Sequence, residues 1–168
     1  MKQVTVLAPA KLNLALDVVG LLPNGYHDLD MVMQTITLYE RLTLRRAEEV
    51  QLRLPGSWVP VNEKNTAVKA ARAFFRYTGL AGGVDMEIEK HIPVRAGMAG
   101  GSADAAGVLV GLNALYEARL STSELCALGA GIGADVPFAL MGGTCRVQGV
   151  GDFLKALPPC PPCWFVIA

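Results

Sequence analysis

A chain of 168 residues is long enough for one domain with its own core and too short for two full ones. Fifteen Lys and Arg balance fifteen Asp and Glu, which argues against a nucleic-acid surface or a membrane-adhering basic face and leaves small molecules as the expected partners. The longest apolar stretches, such as 105–112 and 125–134, fall far short of the roughly 20 residues of a bilayer span. Residues 1–16 mix polar and apolar types too evenly for a signal peptide, so a cytosolic protein is expected.

Residues 3–19 alternate as strands. Val4 and Val6, then Leu12, Leu14, Leu16 and Val18, mark one face, Pro9 interrupts, and Lys11, Asn13 and Asp17 share the other. A Pro23-Asn24-Gly25 turn then displays Tyr26 and His27 in a loop. Met31–Leu38 reads as the next strand, with Arg41–Arg46 and Val50–Leu54 as two more before Pro55-Gly56. The period changes over Asn65–Tyr77, where Ala67, Val68, Ala71, Phe74 and Phe75 share a helical face that Gly79 terminates.

Val84–Glu89 alternates again as a strand. Ser102 is expected to open a helix to about Glu117, and Ser121 to cap another to about Leu128, with Glu124 completing a capping box. Cys145–Val150 reads as one further strand, and Trp164–Ala168 as an apolar strand-like run. Strands first and helices later give an α+β fold rather than a doubly wound sheet. Cys126, Cys145, Cys160 and Cys163 read as ordinary reduced cysteines: Cys160 and Cys163 have CxxC spacing, but Pro161 and Pro162 lead into a strand pattern, and no second close pair completes a zinc set.

The chemistry centres on residues 92–106, IPVRAGMAGGSADAA. Gly97, Gly100 and Gly101 permit positive φ and close backbone approach, and amides at the start of the following helix would face an anion. The motif GxxxxGK(S/T) is not met, because Gly101 precedes Ser102, so another group must supply positive charge. Lys11, the one charge in APAKLNLAL, and Asp135, in GADVPF, are the candidate pair. The carboxylate would accept a hydroxyl proton while the ammonium stabilises the alkoxide and the transferring phosphoryl group. Spacing leaves open a surface lysine and a helix N-cap aspartate instead.

Tyr26 and His27 suit a flat heterocycle, by stacking and hydrogen bonding, or else form a neutral surface loop. Ser102 and Asp104 are candidate magnesium or phosphate neighbours, with a helix N-cap and a helix-dipole partner as their structural alternatives. His91 reads as structural or solvated. Two histidines without metal-ligand spacing make a protein-built transition-metal site unexpected.

Taken in order, APAKLNLAL, NGYHDLDMVMQ, IPVRAGMAGGSADAA and GADVPFAL resemble the motifs of the GHMP kinase superfamily over about residues 5–152. NGYHDL is similar to the branch that acts on a cytidine diphosphate-linked methylerythritol in the non-mevalonate isoprenoid pathway. The resemblance implies transfer of the ATP γ-phosphate, with Mg²⁺, to the 2-hydroxyl of that substrate. It makes Asp135 the general base and Lys11 its electrostatic partner, sets Asn13 near the methylerythritol hydroxyls, and gives the cytosine to Tyr26 and His27. Gly97, Met98, Ala99, Gly100, Gly101 and Ser102 would wrap the ATP phosphates, with Ser102 reaching Mg²⁺ through ATP, and Asn65, Thr66, Lys90 and Pro93 would line the nucleotide site. Arg95, Ala99 and Ala103 stand where many relatives carry smaller or hydroxyl residues.

The same resemblance implies that residues 1–155 form the N-terminal domain of the family, similar to the second domain of ribosomal protein S5. Residues 156–168 would then be a linker and the first strand of a second α+β domain that the sequence lacks, and the chain alone would turn over substrate poorly. Two other readings remain: another small-molecule kinase of the superfamily, such as one for homoserine, and a non-catalytic nucleotide-binding module. A panel of phosphoryl acceptors separates them.

Overall fold

The computed structural model describes residues 2–23 and 25–168. Its backbone is a long antiparallel hairpin, extended into a six-stranded sheet, with helices over one face. Strands β1 (Gln3–Leu21) and β2 (His27–Ala47) pair from Gln3 opposite Arg45 to Leu21 opposite His27. Asn24, the centre of the expected turn, lies outside the described residues. Pro9 does not break β1, because an edge strand tolerates a residue without an N–H; it sits opposite Tyr39, and the register shifts before Lys11. Further shifts at Asn13/Ala15 and Val18/Gly20 add bulges, which bend the hairpin.

The other edge of β2 is shared. Its C-terminal half pairs with β4 (Gly83–Glu89), which pairs in parallel with β3 (Gln51–Arg53). Its N-terminal half pairs with β5 (Thr144–Gly149), followed by β6 (Phe153–Ala156). The two strands expected between Met31 and Arg46 are therefore one, since a continuous strand serves both neighbours. Strand β6, which sequence patterning did not reveal, is held at an edge by pairing with β5 alone.

Helix α1 (Thr66–Thr78) starts where Asn65 accepts the Ala67 N–H at 2.9 Å, and ends at Gly79, whose φ of 66° is the left-handed cap that glycine favours. Helix α2 (Gly100–Leu115) is the central helix. A Cβ on Gly107 would lie 2.9 Å from Leu42 Cδ2, so the missing side chain lets the helix settle onto β2. Leu42, Leu44, Met86 and Ile88 of the sheet meet Leu109 and Leu112 of α2 and Phe74 of α1, all fully buried. Burial of each such side chain is worth about 1.5–3 kcal/mol. Helices α3 (Thr122–Ala130) and α4 (Val136–Met141) follow, and Ser121 with Glu124 forms the expected capping box.

The central helix ends at Leu115, close to the expected end at about Glu117, and Glu117 and Arg119 take positive φ. One expectation fails at the margin. Trp164–Ala168 forms no strand; the run has no pairing partner among the described residues and is largely exposed. All four cysteines are free, with Cys160 and Cys163 Sγ atoms 3.8 Å apart. No described helix is long and apolar enough to cross a membrane.

Candidate active site

The bulge after Pro9 brings Lys11 over the glycine-rich loop, where its backbone N–H donates to the Met98 carbonyl at 3.2 Å. Its side chain is buried, only 6% of the residue being exposed, so the surface-lysine reading falls. Nζ donates to Asn13 Oδ1 at 3.0 Å and lies 3.8 Å from Asp135 Oδ2. Asp135 occupies the N-cap position of α4, yet its side chain makes no capping hydrogen bond. Pro137, near the start of that helix, has no N–H to be capped. The carboxylate is thus left facing the lysine ammonium, and Asn13, Lys11 and Asp135 form one cluster.

The loop differs in detail from the sequence expectation. Gly97 has the positive φ that favours glycine, 72°, but Gly100 and Gly101 do not. They lie inside α2 and are small because a Cβ would crowd Ile92 at 3.3 Å and Thr66 Oγ1 at 3.3 Å respectively. The left-handed turns fall instead on Arg95 and Ala99, at φ 63° and 58°. Ser102 is not the N-cap: Ala99 is, and the first intrahelical bond runs from Ala103 N–H to the Ala99 carbonyl at 2.8 Å. The amides of Gly100, Gly101 and Ser102 precede that bond and remain available to an anion. The Ser102 hydroxyl lies on the side of Gly133, two residues before Asp135, at 3.9 Å from where a Cβ there would sit.

Two clefts flank this centre. One, of about 260 Å³, is lined by Asn65, Thr66, Lys90, Pro93, Gly100 and Gly101 among others. Thr66 Oγ1 donates to the Gly101 carbonyl at 2.6 Å and ties α1 to the start of α2. Asn65 borders the cleft, but its carboxamide is engaged in capping α1 and in donating to the Pro60 carbonyl at 2.7 Å. Lys90 is held by two carboxylates, Glu40 Oε1 and Asp104 Oδ2, each 2.6 Å from Nζ. Asp104 is consequently neither a first-turn dipole partner nor a free metal neighbour, because it is buried in this pair. Burial pushes its carboxyl up to about 6, against the pull of Lys90, with the nearby Glu40 charge adding to the rise.

The second cleft, of about 830 Å³, lies between the hairpin tip, α3, α4 and the β5–β6 turn. Tyr26, Ser123, Ala134, Pro137 and Asp152 are among its lining residues, so it abuts Asp135 from both sides in sequence. His27, exposed at the start of β2, is not among the residues that line this cleft. His91 is exposed, with Nδ1 3.1 Å from the Tyr39 carbonyl, in keeping with a structural role.

Sequence reasoning missed Glu40, Ser123 and Asp152. For Glu40 a signal existed: it shares strand parity with Leu42 and Leu44, which marks a carboxylate on the core face.

The family described as GHMP kinases N terminal domain matches residues 65–143. The chain is 51% identical over 162 residues to a 4-diphosphocytidyl-2-C-methyl-D-erythritol kinase from Carboxydothermus hydrogenoformans, covering 96% of this chain and 56% of that protein. The kinase of the same name from Lachnospira eligens is 46% identical over 170 residues, covering 100% of this chain and 59% of that protein. The chain therefore spans little more than half the length of these relatives. Among solved structures, a crystal structure of 4-(cytidine 5'-diphospho)-2C-methyl-D-erythritol kinase superposes with a TM-score of 0.78 at 40% identity, covering 92% of this chain and 55% of that one. A homoserine kinase from Cytophaga hutchinsonii reaches 0.71 at 19% identity, a likeness of fold alone. With its motif order, its fold and these matches, the chain belongs to the GHMP kinase superfamily, with the N-terminal domain of that family within it.

Proposed function

We propose that this chain provides the phosphate loop and catalytic pair for ATP-dependent phosphorylation of the 2-hydroxyl of 4-diphosphocytidyl-2-C-methyl-D-erythritol, with residues 1–155 as the family's N-terminal domain. The observation that carries the reading is the placement of Asp135: it is free of capping duty, 3.8 Å from the buried Lys11, and lies between the glycine-rich loop and the Tyr26 cleft. The names of the relatives point to the same substrate.

In this reading the ATP phosphates rest on residues 97–102 and the nucleoside enters the cleft beside Thr66 and Lys90. The acceptor lies in the second cleft, its cytosine against Tyr26 and its methylerythritol hydroxyls near Asn13. Asp135 takes the proton of the 2-hydroxyl, whose oxygen forms a bond to the γ-phosphorus as the bond to the β–γ bridging oxygen breaks and ADP leaves. Lys11 stabilises the charge on the attacking oxygen and the phosphoryl group, which answers the missing lysine before Ser102. Among the described residues no group of three or more His, Cys, Asp or Glu side chains is placed to hold a metal. Mg²⁺ would accordingly ride on the nucleotide, with the Ser102 hydroxyl as the protein oxygen beside it, and when bound it neutralises phosphate charge.

The test is phosphoryl transfer from ATP to a panel of acceptors by a protein in which this chain is extended to the length of the relatives it matches. The cytidine-linked alcohol should be the preferred substrate and homoserine a poor one; the reverse preference, or ATP binding with no transfer to any acceptor, would contradict the proposal.

A further inference from the structure

Glu40 is fully buried in the middle of β2, where its neighbours on the same face are Leu42 and Leu44. An ionisable side chain in such a place is costly unless its charge is matched, and a leucine would fill the space more cheaply. Its contacts all lead to one place. Oε1 lies 2.6 Å from Lys90 Nζ, the other oxygen accepts the His91 N–H, and a Cβ on Gly100 would sit 3.4 Å from Oε1. Glu40 is thus bound to the end of β4 and lies close to the first residue of α2, and Lys90 and Gly100 both line the cleft assigned above to the nucleotide.

Lys90 is held from two sides. Asp104 Oδ2 accepts from Nζ at 2.6 Å, while Glu40 Oε1, equally close, meets Nζ as an ion pair without hydrogen-bond geometry, and Asp104 Oδ1 is likewise buried with no hydrogen-bond partner. An ammonium has three donors, and the two carboxylates occupy two directions around it. Lys90, Asp104 and Gly100 line the cleft, whereas Glu40 does not. Two carboxylates against one ammonium also leave the inner wall with excess negative charge. Such a wall suits a neutral acceptor atom of a base or ribose and disfavours a phosphate, which has the amides of residues 100–102 instead.

We propose that Glu40 is a positioning residue for nucleotide binding: with Asp104 it fixes Lys90 so that the remaining N–H of Nζ is aimed at a neutral acceptor on the nucleoside. The proposal rests on reading this cleft as the nucleotide site, and it adds a residue that never touches the ligand.

Calorimetric titration with ADP and with adenosine, on the wild type, Glu40→Gln, Lys90→Met and the double variant, tests it. Glu40→Gln should weaken both ligands by a similar factor, about tenfold for the loss of a charged partner, and that factor should vanish in the Lys90→Met background. A loss that persists without Lys90, which a merely structural role predicts, overturns the proposal. So does unchanged affinity, or a gain for ADP alone, which would mean that Glu40 acts only through its charge. Adenosine left unbound by a wild type that binds ADP overturns the assignment of the wall to the nucleoside. If Glu40→Gln does not fold, Asp104→Asn enters the same cycle with the same expected outcome. A wild type that binds neither ligand sinks the nucleotide reading itself, and this inference with it; binding by the wild type with no coupling to Lys90 sinks this inference alone.

Discussion

The Lys11 amide donates to the Met98 carbonyl at 3.2 Å, so the strand with the proposed catalytic lysine and the loop proposed for phosphate binding are joined by a backbone bond. Neither side chain takes part in this bond. The geometry of the loop is therefore sensitive chiefly to its own backbone torsions, and these give the first prediction.

Ala99 and Gly97 both take left-handed φ, 58° and 72°. A side chain there costs about 1–2 kcal/mol. Ala99→Gly is expected to raise the unfolding free energy by about 1 kcal/mol, a little less than the strain because the unfolded chain gains freedom. Gly97→Ala, where a Cβ meets nothing within 4 Å, should lower it by about 1 kcal/mol through torsion alone. Urea unfolding of the two variants checks the opposite signs; a shift in the same direction for both would remove strain as the cause.

Asp104 predicts a pH dependence. Its folded-state carboxyl lies near 6, above its ordinary value of 3.8, because burial outweighs Lys90. The folded state therefore binds this proton more tightly than the unfolded chain does. The favourable contribution is complete below about pH 4 and is lost as the pH rises through 6, amounting to roughly 3 kcal/mol at most. Unfolding free energies across pH 4–7 should show this fall in the wild type, and Asp104→Asn should flatten it. A slope that Asp104→Asn leaves intact would assign the titration to another group.

Tyr26 lines the larger cleft, and His27 does not. Tyr26→Ala is expected to raise KM for the cytidine-linked substrate by about 10–100-fold, the value of one lost base stack, while His27→Ala has the smaller effect. ADP affinity, which belongs to the other cleft, should not move in either variant. Equal losses in the two variants would restore the pair that the sequence suggested.

Much of this site is readable from local signals. Asn65 and Gly79 bracket α1 with a cap at each end, Ser121 and Glu124 announce α3, and the parity of Lys11 and Asn13 places both on one face of β1. What local pattern does not contain is the path of the chain between elements. The glycine run at 100–101 reads as a flexible turn, whereas packing against Ile92 and Thr66 makes it the start of a helix and displaces the cap from Ser102 to Ala99. The register shifts within the hairpin are equally hidden. Glu40 looks like a surface charge until strand parity and the buried Lys90 are considered together.

Replacement of Asp135 by asparagine keeps the shape of the side chain and removes its capacity to take a proton. Steady-state phosphorylation of 4-diphosphocytidyl-2-C-methyl-D-erythritol by Asp135→Asn, beside ADP titration of the same protein, tests the Lys11–Asp135 pair most directly. The expected result is a fall in kcat of about 10²–10⁴-fold with ADP affinity unchanged. Turnover equal to that of the wild type would show that the 3.8 Å pair is not the catalytic one.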